Sequence, residues 1–192
     1  SSLLNREIKV CVDPTLLLSA NDWNDIASKR IIDEKYIFLY FLGNDTKIRK
    51  LAEHFAREKK LKIVMIPDLM GTYRKNDRKI KGERITDATP CDFISLIKHA
   101  EYVFTDSFHA CVFSLLYHKE FFAFQRTGVV KMGSRIHNLT ELFECPEHFF
   151  NANNKESLKK LLFLSPIDYT KKFKLFEKEK QHSIDYFQSI LK

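Results

Sequence analysis

Cysteine is sparse in this chain, and its four copies, Cys11, Cys91, Cys111 and Cys145, lie far apart. No C-x-x-C pair and no Cys/His cluster at zinc spacing occurs, so neither a disulfide framework nor a metal site is expected. Glycine is equally sparse, with five residues, and the glycine-dependent phosphate motifs are missing. No G-x-G-x-x-G follows an expected strand, which excludes the dinucleotide fingerprint, and a P-loop is absent too. So is the G-x-S-x-G elbow of a hydrolase. The acids of a phosphoacceptor receiver domain are lacking after the first expected strand, where Gly43-Asn44 stands. The longest apolar run, around Ile37 to Leu42, falls far short of the roughly 20 residues that a membrane-crossing helix needs. No leader segment is seen at the start, so a cytoplasmic location is expected.

What is present suits one globular domain. Of 192 residues, 44% are apolar, 13% aromatic and 30% charged, which is enough to fill a substantial core in about one domain. Lys and Arg number 32 against 25 Asp and Glu, a net charge of +7. The cations lie in mixed runs such as Arg57-Glu58-Lys59-Lys60, not gathered on one face as contact with a phosphate backbone requires. Nucleic acid is therefore not an expected partner. The chain opens on Ser1-Ser2 without Met, as expected of a piece of a longer protein.

Strand and helix signals alternate along the chain. Residues 1–30 read as a lead-in, with a short helix started by Asp13-Pro14, and residues 31–192 read as one Rossmann-like domain. Tyr36 to Leu42 is a continuous β-branched and aromatic run, as in a strand buried on both faces, and Leu61 to Ile66, Tyr102 to Thr105 and Phe121 to Phe124 read as further strands. Helices are expected after Asp45, with Ile48, Leu51, Phe55 and Ala56 inward, after Thr89-Pro90, and from Ser107 to Tyr117 behind an Asp106 cap. Asp68 to Ala88 reads as a long loop. Helices from Asn138 to Phe143, Lys155 to Leu164 and Tyr169 to Leu191 close the chain. Repeated βα alternation predicts a doubly wound, mainly parallel α/β sheet.

In such sheets ligands bind beyond the carboxyl ends of the strands. That rule selects Asn44 after the first strand, Asp106, Ser107 and His109 after the third, and Arg126 after the fourth, with Arg135 downstream. His109 falls at a helix start, where an anion is welcome. From the residues alone, His109 is either a structural or a catalytic histidine, Asp106 either a cap or a catalytic carboxylate, and Ser107 either a ligand contact or a backbone partner. Cys111 reads as an inert core thiol, and His118, His137, His148 and His182 read as solvated.

The run from Pro90 to Ala110, ending Thr105-Asp106-Ser107-Phe108-His109, resembles a signature of the polysaccharide pyruvyl transferase family. Asp13-Pro14-Thr15-Leu16-Leu17-Leu18 with Trp23, and Ser134-Arg135-Ile136, fit the same pattern. The resemblance implies the C-terminal domain of a two-domain, glycosyltransferase-B-like enzyme that moves pyruvate from phosphoenolpyruvate to a sugar, forming a ketal. Phosphoenolpyruvate is then the donor substrate and no separate cofactor is expected. The implied partners are a sugar or lipid-linked glycan acceptor and an N-terminal half that closes the cleft. His109 is the implied catalytic residue, and Asp106, Ser107, Arg126, Arg135 and Asn44 the substrate contacts. Ala110 stands where Gly is usual, and Ser107-Phe108-His109 where several members carry Arg-Leu-His. A sugar-nucleotide glycosyltransferase and a non-catalytic α/β module are the alternative readings.

Overall fold

The computed structural model of the chain describes residues 9–67, 75–126, 133–154 and 159–191. A 3-10 turn at Pro14–Leu17 and helix α1 (Ala20–Asn24) precede strand β1 (Tyr36–Tyr40). Then follow α2 (Thr46–Lys59), β2 (Lys62–Met65), α3 (Lys75–Lys79), β3 (Glu83–Arg84), α4 (Pro90–His99) and β4 (Tyr102–Thr105). The chain continues through α5 (Phe108–Leu116), β5 (Glu120–Phe124), α6 (Ser134–Leu142), β6 (Phe149–Phe150) and the long α7 (Tyr169–Ile190). The strands pair in parallel in the order β3-β2-β1-β4-β5-β6. Two strands beyond the expected four extend the sheet, one at each edge.

Side-chain alternation divides the core between the two faces of this sheet. Tyr36, Phe38, Val64, Val103 and Phe121 pack with α4, α5 and α6. Ile37, Leu39, Met65, Phe104, Phe122 and Phe124 pack with α2. Both sets are buried, so the strands need no polar face and read as continuous apolar runs. The lead-in joins the first face: Leu16 is buried, and Trp23 meets Phe113 edge-on at 5.0 Å. Helix α7 packs on the same domain through Phe176, stacked on Phe143 at 4.7 Å, while Ile190 and Leu191 at its end are exposed.

Helix starts follow their caps. Asp45 accepts from the Lys47 amide, and Thr89 with Asp92 closes a capping box ahead of Pro90. The expected long loop is not structureless, since it contains α3 and β3; residues 68–74 lie outside the described residues. In the stretch expected to be helical from Lys155 to Leu164, a 3-10 turn spans Leu161–Phe163, and residues 155–158 lie outside the described residues. His148 is not solvated as expected. It is sealed from solvent, with Nδ1 2.8 Å from the Phe121 carbonyl and its ring stacked on Phe122.

Candidate functional site

Strand order reverses between the parallel neighbours β1 and β4, because β1 leads outward to β2 on one side while β4 leads to β5 on the other. A crevice opens beyond the carboxyl ends of strands at such a switch point. Five of the six expected site residues, all but Asn44, follow β4, follow β5 or start α6 at this edge.

Asp106 is the hub of this edge. Its carboxylate, 2% exposed, accepts the Leu42 amide through Oδ1 and the Gly43 amide through Oδ2, each at 2.7 Å. The expected cap role is therefore corrected: Ser107 holds the N-cap position of α5, without a side-chain cap bond, and both Asp106 oxygens are turned to the β1 loop. Arg126 lies over the same carboxylate, with Nε 3.7 Å from Oδ2 and Nη2 donating to the Asp106 carbonyl at 3.2 Å. Burial pushes the Asp106 carboxyl above its ordinary value, against the pull of the Leu42 amide, Arg126, the Gly43 amide and Arg49. No side chain fits at Gly43, where a Cβ would stand 2.6 Å from Asp106 Oδ2 and 2.9 Å from Arg126 Cγ.

A second charged group, absent from the sequence reading, holds the other side of the β1 loop. Arg49 of α2, 2% exposed, donates to the Gly43 and Asp45 carbonyls at 2.9 Å each and to Asp77 of α3 at 2.7 Å. Its guanidinium also lies 5.1 Å over the Phe41 ring. Its place between Ile48 and Ala52 in the apolar stripe of α2 is the one sequence signal for it, since a cation on a buried face needs a buried partner.

His109, second residue of α5, is exposed as expected. With Ser107 it lines an open cleft of about 400 Å³ together with Tyr40, Leu42, Thr89 and Phe93. Ser107 is buried, and its amide donates to Thr105 Oγ1, which donates in turn to the Tyr40 carbonyl at 2.6 Å. Phe108 turns the opposite way, into a neighbouring cleft of about 420 Å³ that it shares with Arg135, Asp13 and Leu16. The Arg135 guanidinium lies 3.9 Å over the Phe108 ring and bonds Asp13 at 3.0 Å. The Phe108 ring thus meets the Arg135 guanidinium and lies 5.4 Å from the His109 ring, centre to centre.

Asn44 is the residue the structure sets apart. Its side-chain oxygen accepts from Asn76 at 2.8 Å on the α3 side of the loop; like Asp106 and Arg126, it lines neither cleft. Cys111 is buried, and burial first, then Cys145 and Asp106, push its thiol far above the usual range, as an inert core residue requires. Among the described residues no group of three His, Cys, Asp or Glu side chains is placed to hold a metal ion. Nor is any helix there long and apolar enough to cross a membrane.

A family model described as polysaccharide pyruvyl transferase matches residues 2–127. No curated protein matches the chain significantly. Among solved structures, the UDP-GlcNAc 2-epimerase of Neisseria meningitidis is similar at a TM-score of 0.52 and 12% identity, covering 83% of this chain and 45% of that one. The UDP-GlcNAc 2-epimerase of Methanocaldococcus jannaschii is similar at a TM-score of 0.50 and 15% identity, covering 77% of this chain and 42% of that one. This chain thus spans less than half the length of these structures, and at such identities the likeness is one of fold.

Proposed function

Because the chain belongs to the polysaccharide pyruvyl transferase family, we propose that it forms the part of a transferase in which pyruvate from phosphoenolpyruvate is joined as a ketal to two hydroxyls of a sugar. The observation that carries this reading is the exposed imidazole of His109 at the switch point, with Arg126 and Arg135 at the same sheet edge. The donor bears a phosphate and a carboxylate, and guanidinium groups match both in geometry and charge. The reaction needs a proton delivered to the enol methylene, two sugar oxygens bonded to C2, and the C2–O bond to phosphate broken. Two hydroxyl protons are released; one balances the new methyl group and the other leaves with phosphate.

His109 is the residue at the cleft suited to carry one of these protons, as acid toward the methylene or as base toward a hydroxyl. Ser107 and the rings of Tyr40 and Phe93 offer the sugar a hydroxyl and an apolar floor. Asp106 is not the acid or base, since both its oxygens already accept backbone amides; its role is to hold Arg126 and the β1 loop. The acceptor in this reading is a sugar or lipid-linked glycan in the cytoplasm, and a second domain facing this edge completes the cleft and excludes water.

Phosphate release by the whole protein, given phosphoenolpyruvate and a panel of glycans, is the test. His109→Ala should lower turnover by about 10²- to 10⁴-fold without changing the fold. Absence of any phosphoenolpyruvate-dependent release, or tight binding of a nucleoside diphosphate in place of phosphoenolpyruvate, would refute the assignment.

A further inference from the structure

A line of alternating charge crosses the carboxyl edge beside the two clefts, and none of its members lines either cleft. Asp77 holds Arg49 at 2.7 Å, and Arg49 holds the Gly43 carbonyl at 2.9 Å. The Gly43 amide donates to Asp106 at 2.7 Å, and Asp106 faces Arg126 at 3.7 Å. The side chains of Asp77, Arg49 and Asp106 are sealed from solvent, whereas that of Arg126 is 22% exposed. Gly43 is the link: its carbonyl is fixed from one side and its amide from the other.

We propose that Arg49 and Asp77 are positioning residues, which through Gly43 set the place of the Asp106 carboxylate and so of the Arg126 guanidinium that meets the anionic substrate. The inference rests on reading this edge as the site of a phosphoenolpyruvate-dependent transferase. Stability alone does not account for the pair, because a buried ion pair roughly breaks even with apolar residues of the same size. Direction does account for it. A planar guanidinium reaches two carbonyls and a carboxylate at fixed angles, which an ammonium on a flexible stem does not reproduce, and the Phe41 ring beneath it limits its tilt. Charge acts in the same sense. Among the described residues, Arg126, Arg49 and the thiol of Cys111 are the charged and titratable groups that act on Asp106. Without Arg49, burial of Asp106 is less opposed, so the carboxyl takes up a proton at higher pH and loosens its hold on Arg126.

Asp77→Asn and Arg49→Lys test this in the full chain. Asp77 Oδ2 has no hydrogen-bond partner among the described residues, so Asn keeps size and Oδ1 while removing the charge. In both variants the amide signals of Leu42 and Gly43 should move and exchange with solvent at least tenfold faster. Affinity for phosphoenolpyruvate should fall at least tenfold under conditions where both variants remain folded, a loss that a purely structural role does not produce. Lysine should not rescue. The amide signals need no ligand and so separate the two readings: a wild-type protein that ignores phosphoenolpyruvate overturns the function, whereas unmoved Leu42 and Gly43 amides overturn the positioning. Should both variants fail to fold, exchange of these two amides in the wild-type protein at the rate of an open loop overturns it as well.

Discussion

Replacing Gly43 with alanine adds one methyl group where three loops meet. The new Cβ would stand 2.6 Å from Asp106 Oδ2 and 2.9 Å from Arg126 Cγ, both inside van der Waals contact. The φ of Gly43 lies outside the left-handed region, so the cost is one of space and not of backbone conformation. Arg126 is a flexible side chain and can give way; Asp106 cannot move without leaving the Leu42 and Gly43 amides. If Asp106 stays, overpacking costs about 1–3 kcal/mol. If it moves, a hydrogen bond to a charged group is lost, worth about 1.5–3 kcal/mol. These are alternative ways of relieving one clash, so they do not add. Against either stands about 0.4–1 kcal/mol gained because alanine restricts the unfolded chain. The expected net destabilisation is about 1–2 kcal/mol, read as a lower urea midpoint at an unchanged slope. A variant as stable as wild type, or more stable, would show that the loop is not held as tightly as these contacts require.

Two further outcomes follow from the core and from the opposite sheet edge. Phe122→Ala removes a ring packed against Phe104 at 4.8 Å and Phe55 at 5.3 Å and should cost about 3–5 kcal/mol in urea unfolding; a loss under about 1 kcal/mol would contradict the close packing of this face. His99 is held below its ordinary pKa first by burial and then by Lys98, Arg30 and Lys119, so below its ordinary value of 6.5 the unfolded chain takes up a proton that the folded chain refuses. Stability should therefore fall as pH drops from that value toward the lowered one, and His99→Gln should flatten the melting temperature between pH 7.5 and 5.5; an equally steep variant would remove His99 as the cause.

The central strands are legible because burial on both faces leaves an unbroken apolar signature, as in Tyr36 to Leu39 and Phe121 to Phe124. β3 and β6 are not, since two residues carry no period and the sheet edge alone makes them strands. His109 is legible because a strand-to-helix turn places it, and local rules apply to local geometry. Arg49 hides among the basic residues of α2, and its partner Asp77 is 28 positions away in a stretch without period. Asp106 shows where local rules end. A carboxylate just ahead of a helix reads as its cap, because the nearest free amides belong to that helix. The carboxylate instead takes two amides 63 and 64 positions back along the chain, because loops from neighbouring parallel strands converge at one edge and bring their unpaired donors together. A buried carboxylate there gains two charge-assisted bonds and a guanidinium at once, more than a helix start would supply. The same convergence ties the edge together: with the Leu42 and Gly43 amides taken up by Asp106, the β1 loop, the α5 start and Arg126 are held against one another by bonds that no single segment of the sequence announces.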